Sequence, residues 1–246
     1  MCGICGCSEP VHKHEHKHEH KHEHEPHEHG RIIKLEQDIL AENNQYAQLN
    51  REYFRANNML ALNFVSSPGS GKTTLLEKTI YGLKNKCAIT VIEGDQQTNR
   101  DAERIALTGV PVLQINTGKS CHLDAHQIGH ALEKLTPPND SVLFIENVGN
   151  LVCPALFDLG ESHKVVILSV TEGDDKPLKY PEMFHAASLM LINKIDLLPY
   201  VDFNVTRCIE YAKRINPKLA ILEISATKDQ GMSAWLQWLK QHKNLG

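Results

Sequence analysis

The stretch from Met59 to Thr73, which reads MLALNFVSSPGSGKT, decides the fold of this 246-residue chain. An apolar run of strand-forming residues leads into a turn rich in glycine and serine, and helix-forming residues follow. A strand, a glycine-rich turn and a helix in this order form the context that a phosphate-binding loop requires. The stretch therefore predicts an α/β domain with a nucleotide phosphate site at the end of its first strand.

The turn fits the pattern G-x-x-x-x-G-K-S/T, except that Ser66 replaces the first glycine. Glycines let the backbone amides face the phosphates, while Lys72 reaches the outer phosphates and Thr73 binds Mg²⁺. We interpret Ser66 as a modest departure, because the first position mainly governs how the chain leaves the strand. The predicted phosphate-binding residues are Gly69, Ser70, Gly71, Lys72, Thr73 and Thr74, with Lys72 also catalytic.

Short apolar, β-branched runs alternate with amphipathic stretches after this loop. Such runs are typical of parallel strands buried on both faces. The predicted strands are 59–65, 88–92, 110–115, 142–145, 165–170, 189–192 and 219–224, and the predicted helices are 72–83, 99–107, 122–135, 204–214 and 232–242. The pattern predicts a doubly wound, mostly parallel sheet that binds ligands at the carboxyl ends of its strands.

A second motif, Asn193-Lys194-Ile195-Asp196, follows one of the predicted strands and resembles the guanine-recognition sequence N-K-x-D of GTPases. Asp196 would accept hydrogen bonds from guanine N1–H and the exocyclic amine, which adenine cannot supply in the same geometry. Ser225 and Ala226 also follow a strand and resemble the loop that closes over guanine. Together the three elements predict that the chain binds GTP and GDP.

Two acidic strand ends complete the predicted nucleotide site. Asp95 follows the second strand and Glu146 follows a central one. Carboxylates at these positions can hold Mg²⁺ or its waters and orient the attacking water, so both residues are predicted to be catalytic and Asp95 to bind Mg²⁺. We interpret Asp101 as a helix-start residue outside the site. Because no arginine or glutamine stands out as a catalytic group, slow hydrolysis is expected.

The first thirty residues have an unusual composition, with nine of the fifteen histidines and three of the seven cysteines. Cys2, Cys5 and Cys7 form C-x-x-C-x-C, whose soft thiolates suit Ni²⁺, Zn²⁺ or Cu(I). The alternating histidines from His12 onward offer many imidazoles but nothing apolar to bury, which predicts a disordered tail. We predict three segments: a metal-binding tail at 1–30, a helical lead-in at 31–58 and the nucleotide domain at 59–246.

The nucleotide domain carries a second set of candidate metal ligands. Cys121 and His122 open the predicted helix 122–135, and His126 and His130 follow at spacings of four, which places all three imidazoles on one helical face. Cys153 comes just after the strand that ends near Glu146. We predict a metal site of Cys121, His122 and Cys153, with His126 as a further candidate.

Charge and hydropathy exclude several classes of protein. The tail holds three Lys and six Glu, so the remaining residues balance 23 basic against 24 acidic groups. This balance gives no large basic field for nucleic acid or an anionic membrane. No apolar run has the length of a membrane span or of a signal peptide, so a cytoplasmic location is expected.

These motifs together resemble the HypB family of hydrogenase nickel incorporation proteins. Besides the cysteine motif, the histidine tract, the phosphate loop and Asn193 to Asp196, the resemblance includes EGDQQTNRD (93–101), GKSCH (118–122), ENVGNLVCP (146–154) and EGDDK (172–176). It implies a P-loop GTPase that delivers nickel during maturation of the nickel-iron hydrogenase. It further implies a high-affinity nickel site at the N-terminal cysteines and a weaker nickel or zinc site at Cys121, His122 and Cys153.

The resemblance also implies a homodimer favoured by GTP and metal, which works with a HypA-type accessory protein and the hydrogenase large subunit. Three alternatives remain open. A urease-type nickel GTPase would more typically carry one Cys-Pro-His motif in the domain. A nickel storage protein would use the tail mainly for sequestration, and a small-molecule kinase is disfavoured by the guanine motif.

Overall fold

The computed structural model describes the backbone of residues 26–96 and 98–243, and the side chains of residues 34–96 and 98–243. The predicted tail at 1–30, including Cys2, Cys5, Cys7 and most of the histidine tract, falls mainly outside the described residues. Within them, no helix is both long and apolar enough to span a bilayer.

A seven-stranded sheet forms the centre of the domain, and every pair of neighbouring strands in it is parallel. The strands are β1 (Leu60–Ser66), β2 (Ile89–Asp95), β3 (Val112–Asn116), β4 (Val142–Gly149), β5 (His163–Ser169), β6 (Leu189–Asn193) and β7 (Ala220–Glu223), in the order β3-β2-β4-β1-β5-β6-β7. On one side of β1 lie β4, β2 and β3, and on the other side lie β5, β6 and β7. The chain therefore winds outward from β1 in both directions, as in a doubly wound sheet. The predicted fold class is confirmed, and each predicted strand overlaps an observed one.

Helices cover both faces of this sheet. They are α1 (Pro26–Ala56), α2 (Lys72–Leu83), α3 (Arg100–Ala106), α4 (Ala125–Leu135), α5 (Cys153–Leu156), α6 (Lys176–Lys179), α7 (Pro181–Ala186), α8 (Val205–Ile215) and α9 (Met232–Lys243), with a 3-10 helix at Ile195–Tyr200. The helical lead-in predicted at 31–58 corresponds to α1. The three shortest α-helices and the 3-10 helix are too brief to show a helical period and were not predicted.

Side chains of β1 alternate between the two faces, as the two-residue period of a strand requires. Leu62 and Phe64 pack with α2, α3 and α9 on one face, around the fully buried Trp235. On the other face Ala61 contacts the cluster under α1 and α4, and Val65 contacts the cluster under α7 and α8. Because both faces of the central strands are covered, the packed core holds the carboxyl ends of these strands side by side.

Helix α4 differs from the sequence prediction in a way that matters for the metal site. It begins at Ala125 and not at 122, because Asp124 caps it: the Asp124 side chain accepts from the Gln127 N–H at 2.8 Å, and the Gln127 side chain accepts from the Asp124 N–H at 3.0 Å. This is a capping box. Cys121 and His122 therefore lie in the preceding turn, and the prediction that three imidazoles share one helical face is wrong.

Candidate functional site

The phosphate loop leaves β1 at Ser66 and enters α2 at Lys72. The Lys72 ammonium donates to Ser66 Oγ at 2.9 Å, and the Ser70 hydroxyl donates to the same oxygen at 2.6 Å. A glycine at this position could accept neither bond. The serine that departs from the general motif therefore orients the lysine inside the loop.

The loop contacts the segment that follows β6. Asn193 Nδ2 donates to the Ser70 carbonyl at 2.9 Å, and Lys194 Nζ donates to the Gly69 carbonyl at 2.7 Å. Gly71 has φ of 97°, and a Cβ there would lie 2.7 Å from Asn193 Nδ2. Only glycine meets both the backbone angle and the close approach at this position.

The residues predicted to recognise the base converge around Asn193. Its Oδ1 accepts from the Lys194 N–H at 2.8 Å and from the Ala226 N–H at 3.3 Å, which joins the segments after β6 and β7. The Ser225 hydroxyl donates to Asp196 Oδ1 at 2.5 Å. These side chains therefore lie together at the carboxyl ends of adjacent strands, beside the phosphate loop.

A cavity of about 520 Å³ lies on the other side of the phosphate loop, between the ends of β1, β2 and β4. Its walls include the predicted residues Gly69, Gly71, Lys72, Thr73, Thr74, Asp95, Glu146 and Lys194. Thr73 Oγ1 donates to Glu146 Oε1 at 2.7 Å. The Asp95 carboxylate accepts from the Gln96 N–H at 2.6 Å and from the Thr98 hydroxyl at 2.6 Å, so the turn after β2 fixes its position.

Three charged residues of this cavity were not predicted. Glu93 on β2 is buried, and Asp101 and Arg104 on α3 form an ion pair at 3.2 Å. Arg104 also donates to Glu77 at 2.6 Å and to Thr74 Oγ1 at 3.0 Å. The interpretation of Asp101 as a helix-start residue is correct, since it lies in the first turn of α3, but the same residue also lines the cavity.

Burial strongly affects the two inner carboxyl groups of the cavity. It raises the pKa of Glu93 to about 8, with the neighbouring Glu146 adding to the effect, and the pKa of Glu146 to about 6, where Lys72 opposes the rise. Both side chains have an Oε2 atom that is buried and has no hydrogen-bond partner among the described residues. Buried oxygen atoms of this kind fit a hard divalent cation such as Mg²⁺.

We expect Glu93→Gln to stabilise the protein at alkaline pH. Because folding raises the pKa of Glu93, its contribution to stability is complete below about pH 4.5 and is lost as the pH rises through about 8. One pKa unit corresponds to about 1.4 kcal/mol, which sets an upper limit of roughly 5 kcal/mol on the gain at pH 8. Solvent screening and local relaxation reduce this limit, so we expect the substitution to increase the free energy of unfolding by roughly 2 kcal/mol at pH 8 and to change it little at pH 4.

Denaturant unfolding without nucleotide or divalent ions would measure this difference. The exposed Glu223, at the end of β7, provides the matched control. Glu223→Gln should leave the pH dependence unchanged. Equal effects of the two substitutions at pH 8 would contradict the expectation.

Cys121, His122 and Cys153 form a compact cluster of candidate metal ligands. Their ligand atoms all lie within 4.8 Å of one another. The two Sγ atoms are 3.0 Å apart, and Cys121 Sγ lies 3.9 Å from His122 Nδ1. Burial lowers the pKa of His122, which favours the neutral imidazole that can bind a metal. Two sulfur atoms and one imidazole suit a soft or borderline ion.

Backbone contacts fix the segments that carry these ligands. Lys164 is buried, and its ammonium donates to the carbonyl groups of Pro154 at 2.7 Å and Phe157 at 3.2 Å, next to the short helix α5 that begins at Cys153. The Phe157 ring lies 3.9 Å from the His122 ring, centroid to centroid. Lys164 thus holds the backbone next to Cys153, and Phe157 packs against the ring of His122.

His126, the further candidate, does not belong to this cluster. It lies on α4 with His130, and their Nε2 atoms are 3.1 Å apart. His130 Nδ1 in turn lies 3.3 Å from the Glu133 carboxylate. The two imidazoles share an exposed face of α4 and are separate from His122.

The end of β4 connects the cavity with the cysteine cluster. Glu146 lines the cavity, and the next residue, Asn147, accepts the Leu123 N–H on its Oδ1 at 3.2 Å. Farther along, Asn150 Nδ2 donates to the Cys121 carbonyl at 3.3 Å, and Cys153 follows. The two sites therefore share one stretch of backbone.

Comparison with known sequences identifies close relatives. The family model for the CobW/HypB/UreG nucleotide-binding domain matches residues 60–223. A hydrogenase maturation factor HypB of Azotobacter vinelandii is 60% identical over 213 residues, which cover 87% of this chain and 70% of that protein. A probable hydrogenase maturation factor HypB of Methanocaldococcus jannaschii is 43% identical over 85% of this chain and 95% of its own length.

Solved structures agree with the sequence relatives. The crystal structure of hydrogenase maturation factor HypB from Archaeoglobus fulgidus is 43% identical, covers 82% of this chain and 99% of that one, and superposes with a TM-score of 0.77. The structure of HypB from Helicobacter pylori in complex with nickel is 39% identical, covers 82% and 95%, and has a TM-score of 0.76. On the fold, the family model and these relatives, the chain belongs to the HypB family of hydrogenase maturation factors.

Proposed function

We propose that this protein is a GTP-hydrolysing nickel metallochaperone that delivers nickel for maturation of the nickel-iron hydrogenase. The observation that carries the proposal is the shared backbone between Glu146 and Cys153. Because Cys153 follows this segment and Asn150 donates to the Cys121 carbonyl, a change at its phosphate end would alter the positions of both cysteines. Nucleotide state and metal affinity are then coupled through one strand end.

The nucleotide half of the mechanism uses the residues around the phosphate loop. Lys72 leaves Ser66 for the outer phosphates, and the amides of Gly69 to Thr74 surround the phosphate oxygens. Thr73, Asp95 and Glu146 would hold Mg²⁺, whose charge would offset that of the phosphates. Glu146 must lose its proton for this role, and its pKa of about 6 allows that near neutrality.

The residues around the base provide the choice of nucleotide. Asp196 accepts hydrogen bonds from guanine, with Asn193, Lys194, Ser225 and Ala226 around it. The Ser225 hydroxyl, which donates to Asp196 Oδ1 at 2.5 Å, fixes the orientation of the carboxylate before a base arrives. GTP and GDP are the nucleotides that this arrangement would bind.

The metal half takes nickel as cargo, with zinc as a competitor. Cys121, His122 and Cys153 bind the ion in the domain, and Cys2, Cys5 and Cys7 bind a second ion in the tail. The likeness to HypB proteins supports a homodimer favoured by GTP and metal, a HypA-type accessory partner, and the hydrogenase large subunit as recipient. The histidine tract adds storage capacity.

Nickel affinity at the domain site should differ at least about tenfold between GDP and a non-hydrolysable GTP analogue, since about 1.4 kcal/mol of coupling suffices. Bound nickel protects thiolates from alkylation. Iodoacetamide labelling at buffered free nickel, mapped by mass spectrometry to the half-buried Cys121, therefore reports on this site separately from the tail. The full chain should also hydrolyse GTP slowly.

Lys72→Ala is the control variant for the coupling. Without the ammonium that reaches the outer phosphates, it should lose GTP hydrolysis and the nucleotide dependence of labelling, while nickel still protects Cys121. Equal nickel affinity of the wild type with the two nucleotides would overturn the coupling. If nickel never protects Cys121 of the wild type from alkylation, the domain metal site is overturned.

A further inference from the structure

Helix α1 contacts both segments that carry the cysteine cluster, and two buried asparagines make the contacts. Asn43 accepts the Ala125 N–H on Oδ1 at 2.9 Å and donates from Nδ2 to the Asp158 carbonyl at 2.8 Å. Asn50 donates from Nδ2 to the Ala125 carbonyl at 2.8 Å and to the Leu159 carbonyl at 3.1 Å. Each side chain is bonded to both segments at once.

The bonded backbone groups lie close to the ligands in sequence. Ala125 begins α4, just after the turn that holds Cys121 and His122, whereas Asp158 and Leu159 follow the short helix that begins at Cys153. Each asparagine is 5% exposed, so water does not readily replace these bonds. Side chains of α1 thus link the two ligand-bearing segments.

Close backbone packing holds α1 in this position. Gly160 has φ of 87°, and a Cβ there would lie 2.5 Å from the Ala47 carbonyl oxygen, so any side chain would force the helix away. Arg51 donates from one guanidinium nitrogen to both carboxylate oxygens of Asp158, at 2.6 and 2.8 Å. The helix and the segment after α5 therefore form one packed unit.

We propose that Asn43 and Asn50 are positioning residues for the metal cluster, through which α1 clamps the two ligand-bearing segments at the separation that a single ion needs. The inference rests on the proposed binding of metal at Cys121, His122 and Cys153. Neither asparagine contacts the ion. Loss of groups that orient metal ligands typically weakens metal binding about 10- to 100-fold.

Asn50→Asp is the most direct test, because it keeps the size of the side chain and replaces a double donor with an acceptor facing two carbonyls. Nickel protection of Cys121 from alkylation should then require about 10- to 100-fold more free nickel, while the affinity for GDP should stay unchanged. Asn43→Asp, which keeps the bond from Ala125 and loses the bond to Asp158, should show a smaller shift in the same direction. It also serves as the second variant if Asn50→Asp does not fold.

Asn216 provides a matched control elsewhere in the domain. Its Nδ2 donates to the carbonyl groups of Phe184, His185 and Ala187, none of which adjoins a candidate ligand. Asn216→Asp therefore makes the same chemical change and should leave nickel protection at its wild-type level. If it weakens protection as much as the Asn43 and Asn50 variants do, or if those variants bind nickel like the wild type, the clamp is overturned. Lack of protection in the wild type would instead overturn the proposed metal site.

Discussion

Asp196→Asn should change the base preference of the protein from guanine to xanthine, by about a thousandfold in relative affinity. An aspartate accepts two hydrogen bonds, from guanine N1–H and the exocyclic amine. An asparagine offers one acceptor and one donor, which matches xanthine, where a carbonyl replaces that amine. Competition between GDP, XDP and ADP for the full chain would measure the change.

Asp202 offers the matched control for this substitution. It is an exposed acid in the same connection between β6 and α8. Asp202→Asn should keep the wild-type order of GDP over XDP and ADP. An Asp196→Asn protein that still prefers GDP would show that another group reads the base.

Cys153→Ser should weaken nickel binding in the domain by about a hundredfold or more, a loss at least as large as that from removing a group that only orients a ligand. Cys153 is fully buried, and its sulfur lies 3.0 Å from that of Cys121. Serine fills nearly the same volume but does not provide a thiolate. The measurement is nickel protection of Cys121 from alkylation at buffered free nickel.

Cys208 is the control cysteine. It is also fully buried, in the apolar cluster under α7 and α8, and burial raises the pKa of its thiol to about 12. Cys208→Ser should impose a similar packing change and leave the protection of Cys121 intact. If nickel protects Cys121 equally well in the Cys153→Ser protein, Cys153 is not a ligand.

Much of the fold was predictable because it depends on local signals. Seven apolar runs predicted the seven strands, of which all but the edge strands β3 and β7 are buried along most of their length, and the phosphate loop lies where a strand meets a helix. A local signal also marks the start of α4, since Asp124 and Gln127 have the spacing of a capping box. The predicted start at His122 is wrong because the helical spacing of side chains continues past Asp124, whereas the cap ends the helix there.

Other parts of the site arise only from long-range packing. Asp101 and Arg104 line the cavity because α3 packs beside α2. No pattern in the sequence indicates that contact. Asn43 and Asn50 are polar residues on a long polar helix, where an exposed face is the usual expectation. Their burial depends on the segments around Ala125 and Leu159, which are distant in sequence.

The amide of Asn193 bridges the Ser70 carbonyl and the Ala226 N–H, so the phosphate cradle and the base-reading loops are already joined when the ligand arrives. Guanosine nucleotides would therefore enter a preorganised receptor on that flank, with little ordering left to do. A conformational change on binding would instead occur on the other side of the phosphate loop, at the strand ends that carry Asp95 and Glu146 and lead to the cysteine cluster. Under the proposed coupling, the structural change caused by the nucleotide would then act mainly on the metal site.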